Sequence, residues 1–229
     1  MIPINSICLL ISGLFFLVVT LKIYLSYEKS REEKIGNFYK SVLFLSFTQI
    51  LSSTPGLIFN DLNVIGFIFL VYPFFVFLAL AHFGTIPLQI LRWKKTEKIY
   101  FNAMIMFGLS ITVLNALKLT PAVAHFSGPF VYWQDSRGVV MNALIGLMLS
   151  VTMLTIVAFY FFQGFKSNEK YIRRRAFVMA AGLLNLVIGS VINFIVGGSP
   201  NIYITSLIST LFFMLSGILL LTSAYYKTN

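Results

Sequence analysis

The chain has 229 residues, of which 58% are hydrophobic, only 10% are charged and 24 are Phe. Soluble domains carry about a quarter charged residues, so this composition excludes an ordinary soluble domain and fits an integral membrane protein. The net charge of +10 would point to nucleic acid in a soluble chain, but here the cations flank apolar segments, where they face anionic lipid. No nucleic-acid partner is expected.

A helix crossing about 30 Å of hydrocarbon needs roughly 20 apolar residues, and its backbone groups must be satisfied within the segment. Seven segments qualify: Ile7 to Tyr27, Phe38 to Phe59, Val64 to Leu91, Ile99 to Leu119, Val139 to Phe162, Ala176 to Val196 and Ile202 to Tyr226. The expected fold is one all-α, seven-helix transmembrane domain over residues 1–229. The first segment is read as a true span, because "MIPINS" lacks a basic start and the run exceeds a signal-peptide core. Its single cysteine, Cys8, has no partner for an internal disulfide.

Fifteen of the seventeen cations fall on one side of this arrangement, and only Lys118 and Arg137 fall on the other. Short cytoplasmic loops hold an excess of Lys and Arg, so the N-terminus is expected outside and the C-terminus in the cytoplasm of a bacterial cell.

In the second segment Pro55 follows "QILSST" and is expected to kink the helix, which makes Gln49, Ser52 and Ser53 pocket candidates. The third segment carries Pro73, Pro87 and His82, the one ionisable residue clearly inside a span. Such groups are costly in lipid and mark either a hydrogen bond to a neighbouring helix or a ligand contact. Asn115 lies near the end of the fourth segment as a further polar candidate. The outer link from Thr120 to Gly138 is long and aromatic, with His125, Tyr132, Trp133, Asp135 and Arg137. It reads as an interfacial aromatic belt or as a lid over an outward pocket.

Gly182, Asn185, Gly189 and Asn193 in the sixth segment recur at spacings of three and four, which puts them on one helical face. Thr205, Ser209 and Ser216 form a comparable stripe on the seventh, so these two helices are expected to pack together through small and polar residues. None of the seven carboxylates lies within a span, which argues against an ion-coupled pump or an intramembrane aspartyl protease. There is no "HExxH" and no Cys/His cluster, so neither metal nor cofactor is expected. A retinal pigment is equally disfavoured, since the last segment has no lysine before Lys227.

A basic inner loop leads into "RRRAFVMAAGLLNLVIGSVINFIV", then the "GGSPN" turn, then "IYITSLISTLFFMLSGILLLTSAYY". This ending resembles the seven-helix N-terminal region of bacterial sensor histidine kinases. The resemblance covers the last quarter in detail and the whole chain in topology. It implies a receptor-like bundle whose seventh helix feeds a cytoplasmic output, and it carries over no ligand residue. Only "KTN" follows the last segment, so the output belongs to a partner, the chain is a portion of a longer protein, or it acts otherwise. The expected function is a non-enzymatic membrane sensor responding to a small ligand, lipid or physical cue. The alternatives are a small-molecule transporter or channel lined by Gln49, His82, Asn115, Asn185 and Asn193, and a structural subunit of a membrane complex. Apolar outer faces leave a homo-oligomer equally open.

Overall fold

The computed structural model describes residues 3–117, 121–127, 130–134, 139–192 and 202–225. Seven helices carry the fold: α1 (Ile4–Ser30), α2 (Glu33–Ser53), α3 (Leu62–Ile90), α4 (Lys94–Ala116), α5 (Val139–Lys166), α6 (Lys170–Val191) and α7 (Ile202–Tyr225). A two-stranded antiparallel hairpin, β1 (Val123–Ser127) and β2 (Phe130–Gln134), interrupts them between α4 and α5. Five helices, α1, α3, α4, α5 and α6, are long and apolar enough to cross a membrane. Helix α2 carries Glu33, Lys34 and Lys40 among several hydroxyl residues, and α7 shows a shorter apolar stretch over Leu207–Ser223.

The helices run past the apolar segments at the basic end: α1 continues to Ser30, α4 begins at Lys94, α5 ends at Lys166 and α6 begins at Lys170. Lys, Arg and Glu are good helix formers and can hold their charged heads in water while the backbone stays bonded. Helix α2 departs from expectation at its other end. It stops at Ser53, where the N–H of Thr54 bonds to the carbonyl of Leu51, and Pro55 stands beyond it. Proline disfavours helical geometry in the residue before it. Gly56 then takes φ +73 and donates to the Phe59 carbonyl at 2.8 Å, closing a turn. Pro55 therefore terminates α2 and does not kink it, and Leu57, Ile58 and Phe59 lie exposed on the turn. Pro73 and Pro87 do lie inside α3.

Short connectors make successive helices antiparallel neighbours. Helix α1 packs on α2, α2 on α3, α5 on α6 and α6 on α7; α7 returns against α1, and α3 against α5. Six helices thus close a ring, and α4 lies outside it against α3. Along the α3–α4 seam the ring of Tyr100 lies over Gly84, and its hydroxyl donates to the Leu80 carbonyl at 3.1 Å.

The α6–α7 contact follows the expected stripe. A Cβ on Gly182 would lie 3.2 Å from Leu220, and one on Gly189 would lie 2.9 Å from the Phe213 ring. Ser209 donates across the gap to the Gly189 carbonyl at 2.8 Å. Close backbone approach through small residues is how helices associate where no water drives them together. The polarity pattern is compatible with an apolar surrounding: Ser12, Ser41 and Ser216 are fully buried, while Leu21, Met106 and Leu211 are exposed.

Candidate functional site

The ring encloses a cavity of about 490 Å³ at the basic end. Every ring helix contributes to it where that helix ends or begins: Ile23 of α1, Phe38 of α2, Ile86 of α3, Tyr160 of α5, Met179 of α6 and Ser223 of α7. Helix α4 contributes nothing to the lining. The volume is in the range of ligand sites. The wall is apolar, and the mouth carries Lys34, Arg175 and Glu32, all exposed to solvent. Gln163 adds an amide between the mouth and the wall.

Above the cavity the axis is closed by packed side chains. Phe38 meets Phe83 edge-on with ring centroids 5.8 Å apart, and Phe16, Leu80, Met153, Leu183 and Leu220 are fully buried. This layer follows from periodicity. Ser12, Phe16, Val19 and Ile23 on α1 recur at four, three and four, and so do Phe38, Val42, Leu45 and Gln49 on α2. The stripe that lines the cavity therefore continues through the apolar layer to polar groups on its far side.

Those groups are Ser12, Gln49 and Ser216. Each is buried, and Oγ, Oε1 and Oγ respectively have no hydrogen-bond partner among the described residues. Gln49 lies against Gly13 of α1, where an added Cβ would stand 3.2 Å from its own Cβ. Ser46 donates to the Gly13 carbonyl at 3.0 Å. Nearer the far end of the ring, Asn5 Oδ1 and Trp133 Nε1 are likewise buried without a partner among the described residues. A polar atom kept from both water and partners costs about 1–3 kcal/mol, so such a row calls for an explanation.

Trp133 belongs to the hairpin that the outer link forms. The link folds into β1 and β2, which pair His125 with Tyr132 in register, and Val131 and Trp133 turn inward. Ala122 N–H donates to the Leu62 carbonyl at 3.2 Å, fixing the hairpin to the start of α3. The Trp133 indole sits beside Gly56 and Pro3 as a cap on the bundle, while Phe126 stays exposed. The side chain of Tyr132, and Asp135 and Arg137 altogether, lie outside the described residues. The signal for strands is present in "VAHFSGPFVYWQ", where aromatic and β-branched runs flank a Gly-Pro pair.

The other polar candidates are spread through the fold. His82 Nδ1–H donates to Asn37 Oδ1 of α2 at 2.9 Å, and the ring stacks on Phe44 at 5.8 Å and meets Phe101 of α4 at 5.0 Å. It bridges α2, α3 and α4. Removing either partner should cost about 1 kcal/mol, and a double-mutant cycle of Asn37→Leu with His82→Leu should show a coupling of about 0.6 kcal/mol in detergent unfolding. Additive losses would contradict the bond. Asn185 donates to Ala181 of its own helix at 2.8 Å, not to α7. Asn185→Leu should therefore change stability by less than about 1 kcal/mol, whereas a larger loss on the same unfolding curve would place its amide in the α6–α7 contact. Ser53 returns its hydroxyl to the Ile50 carbonyl at 2.6 Å. Asn115 Nδ2 is buried without a partner among the described residues at the end of α4, away from the ring. Asn193 lies outside the described residues.

Of the polar candidates that the sequence suggests, none lines the cavity, and Gln49 lies on the α2 stripe that continues from the lining residue Phe38. Lys34, Tyr160, Gln163 and Arg175 carry no signal in the sequence that marks them as site residues. Arg175 reads there as part of a boundary cluster, and only helix order brings it opposite Lys34. Among the described residues no group of His, Cys, Asp or Glu could hold a metal ion. No protein-family model matches the chain, and no curated protein matches it either.

Proposed function

We propose that the chain is a non-enzymatic, seven-span membrane sensor or receptor-like module with its N-terminus outside, which binds a small ligand in the basic-end cavity and relays occupancy to a cytoplasmic partner. The observation that carries this reading is the lining itself: the cavity takes side chains from both α6 and α7 near their basic ends, through Met179 and Ser223. A ligand there contacts the end of the helix that would drive an output. Such a relay needs only a difference in ligand affinity between two packings of these helices. The skewed distribution of cations supports the orientation.

A second reading is favoured by a separate observation. Ser12 and Gln49, buried with unpartnered polar atoms, lie on the helix stripes that continue from the cavity wall through the apolar layer, as a carrier open at one end would have it. Purified protein, with its co-purifying small molecules identified by mass spectrometry, separates the two. The sensor reading predicts that stripping the molecule changes the distance between spin labels at Glu169 and Thr222, and that liposomes show no protein-dependent flux of it. Flux above protein-free vesicles with fixed label spacing would contradict it.

A further inference from the structure

Resting on the reading of the basic-end cavity as a ligand site, we propose that its occupant is a single-chain amphiphilic anion, with a carboxylate or phosphate head at Arg175 and Lys34 and an apolar tail directed toward Phe38 and Met179. The mouth has two cations against one carboxylate, Glu32, and neither Lys34 nor Arg175 has a carboxylate partner among the described residues. Arg175 and Tyr160 both line the cavity, so the guanidinium stands at its mouth beside the apolar wall. Two helices, α2 and α6, begin at this mouth, and neither has a side-chain cap on its first N–H groups. Glu33 in the first turn of α2 and Glu169 at the N-cap of α6 offset these dipole ends, so the attraction at the mouth rests on the two cations.

The charge pattern separates this site from the rest of the basic end. Arg92, between α3 and α4, and Lys94, at the start of α4, do not line the cavity. Lys34 and Arg175 combine a cation with an apolar wall, formed by Ile23, Ile86, Ile90 and Ala176. An inorganic anion would leave that wall against water, and a neutral alkyl compound would leave the cations unmatched. At about 490 Å³ the space accepts one chain and not the two chains of a bilayer lipid.

The test is titration of the full chain in neutral-lipid nanodiscs with octyl phosphate, octanol and inorganic phosphate. Octyl phosphate should bind at least about tenfold more tightly than either comparator, since a charge-assisted contact contributes about tenfold or more and each buried methylene about fourfold. Arg175→Gln, a change at an exposed position, should weaken octyl phosphate about tenfold without moving octanol, and Arg175→Lys should restore most of the loss. Equal binding of octanol, or no effect of Arg175→Gln, would overturn the anionic head and leave the ligand-binding module standing. Equal binding of inorganic phosphate would overturn the tail. Nanodiscs of anionic two-chain lipid that compete octyl phosphate away would overturn the single-chain assignment. Saturable binding of octyl phosphate with unchanged spacing between Glu169 and Thr222 would count against the sensor reading alone.

Discussion

Leucine in place of Gly84 should lower stability by about 3 kcal/mol or more and drop the melting midpoint in detergent by about 10 °C. The position has no room for a side chain, because the Tyr100 phenol of α4 occupies the space that a Cβ would take. The phenol cannot simply swing aside. Its hydroxyl is bonded to the Leu80 carbonyl one turn earlier on α3, and Phe77 and Phe107 pack edge-on at 5.4 Å farther along the same seam. Helix α4 has α3 as its main neighbour, so prying this seam apart loosens the whole helix. Gly84→Ala should show a smaller loss in the same assay, and Tyr100→Ala in the Gly84→Leu background should recover part of it. A Gly84→Leu protein within about 1 kcal/mol of the original would show that the seam is not packed as described.

Alanine in place of Trp133 should cost about 3 kcal/mol, read from the same melting curves, and should release the hairpin from the bundle. The indole is 8% exposed and fills the space between the Gly56 turn and Pro3. Gly56 holds φ +73, so the turn under the indole has a fixed shape into which its neighbours cannot easily collapse. Because Nε1 has no partner among the described residues, Trp133→Phe should lose far less than Trp133→Ala: the phenyl keeps much of the packing and removes an unsatisfied donor. Equal losses for phenylalanine and alanine would mean that Nε1 is bonded after all. Proteolysis within the hairpin offers a second readout, since release exposes β2.

The helices are legible in the sequence because lipid-crossing segments need length and apolarity, and both survive in a single chain. The pairing of α6 with α7 is legible too, because small residues at three-and-four spacing mark a close approach wherever the partner lies. The end of α2 differs from expectation for a local reason: apolar Leu57, Ile58 and Phe59 extend the hydropathy signal past Pro55, although the backbone has already turned. The hairpin hides in a stretch whose length suggests a loop, although its aromatic and β-branched runs and its Gly-Pro pair point to strands. The cavity is not legible at all. Lys34 and Arg175 are far apart in sequence, and their meeting depends on ring closure through α1 and α7, which periodicity does not encode. Ser12 and Ser216 are invisible as a pair for the same reason, since their shared level in the bundle depends on α1 packing against α7. His82, by contrast, carries its own signal through its cost in lipid, and its bond to Asn37 is the structural outcome of that cost.

The proposed function stands on a ring of helices that holds a solvent-reached cavity at its basic end and a packed apolar layer above it. Single cysteines in a Cys8→Ala background, labelled in sealed native membranes with a charged maleimide added to one side at a time, test it most directly. Cysteine at Ala176 or Ile90, in the cavity wall, should react only from the cytoplasmic side, and cysteine at Leu183, in the buried layer, should react from neither. Labelling of the Ala176 or Ile90 positions from outside, or of the Leu183 position from either side, would contradict the account.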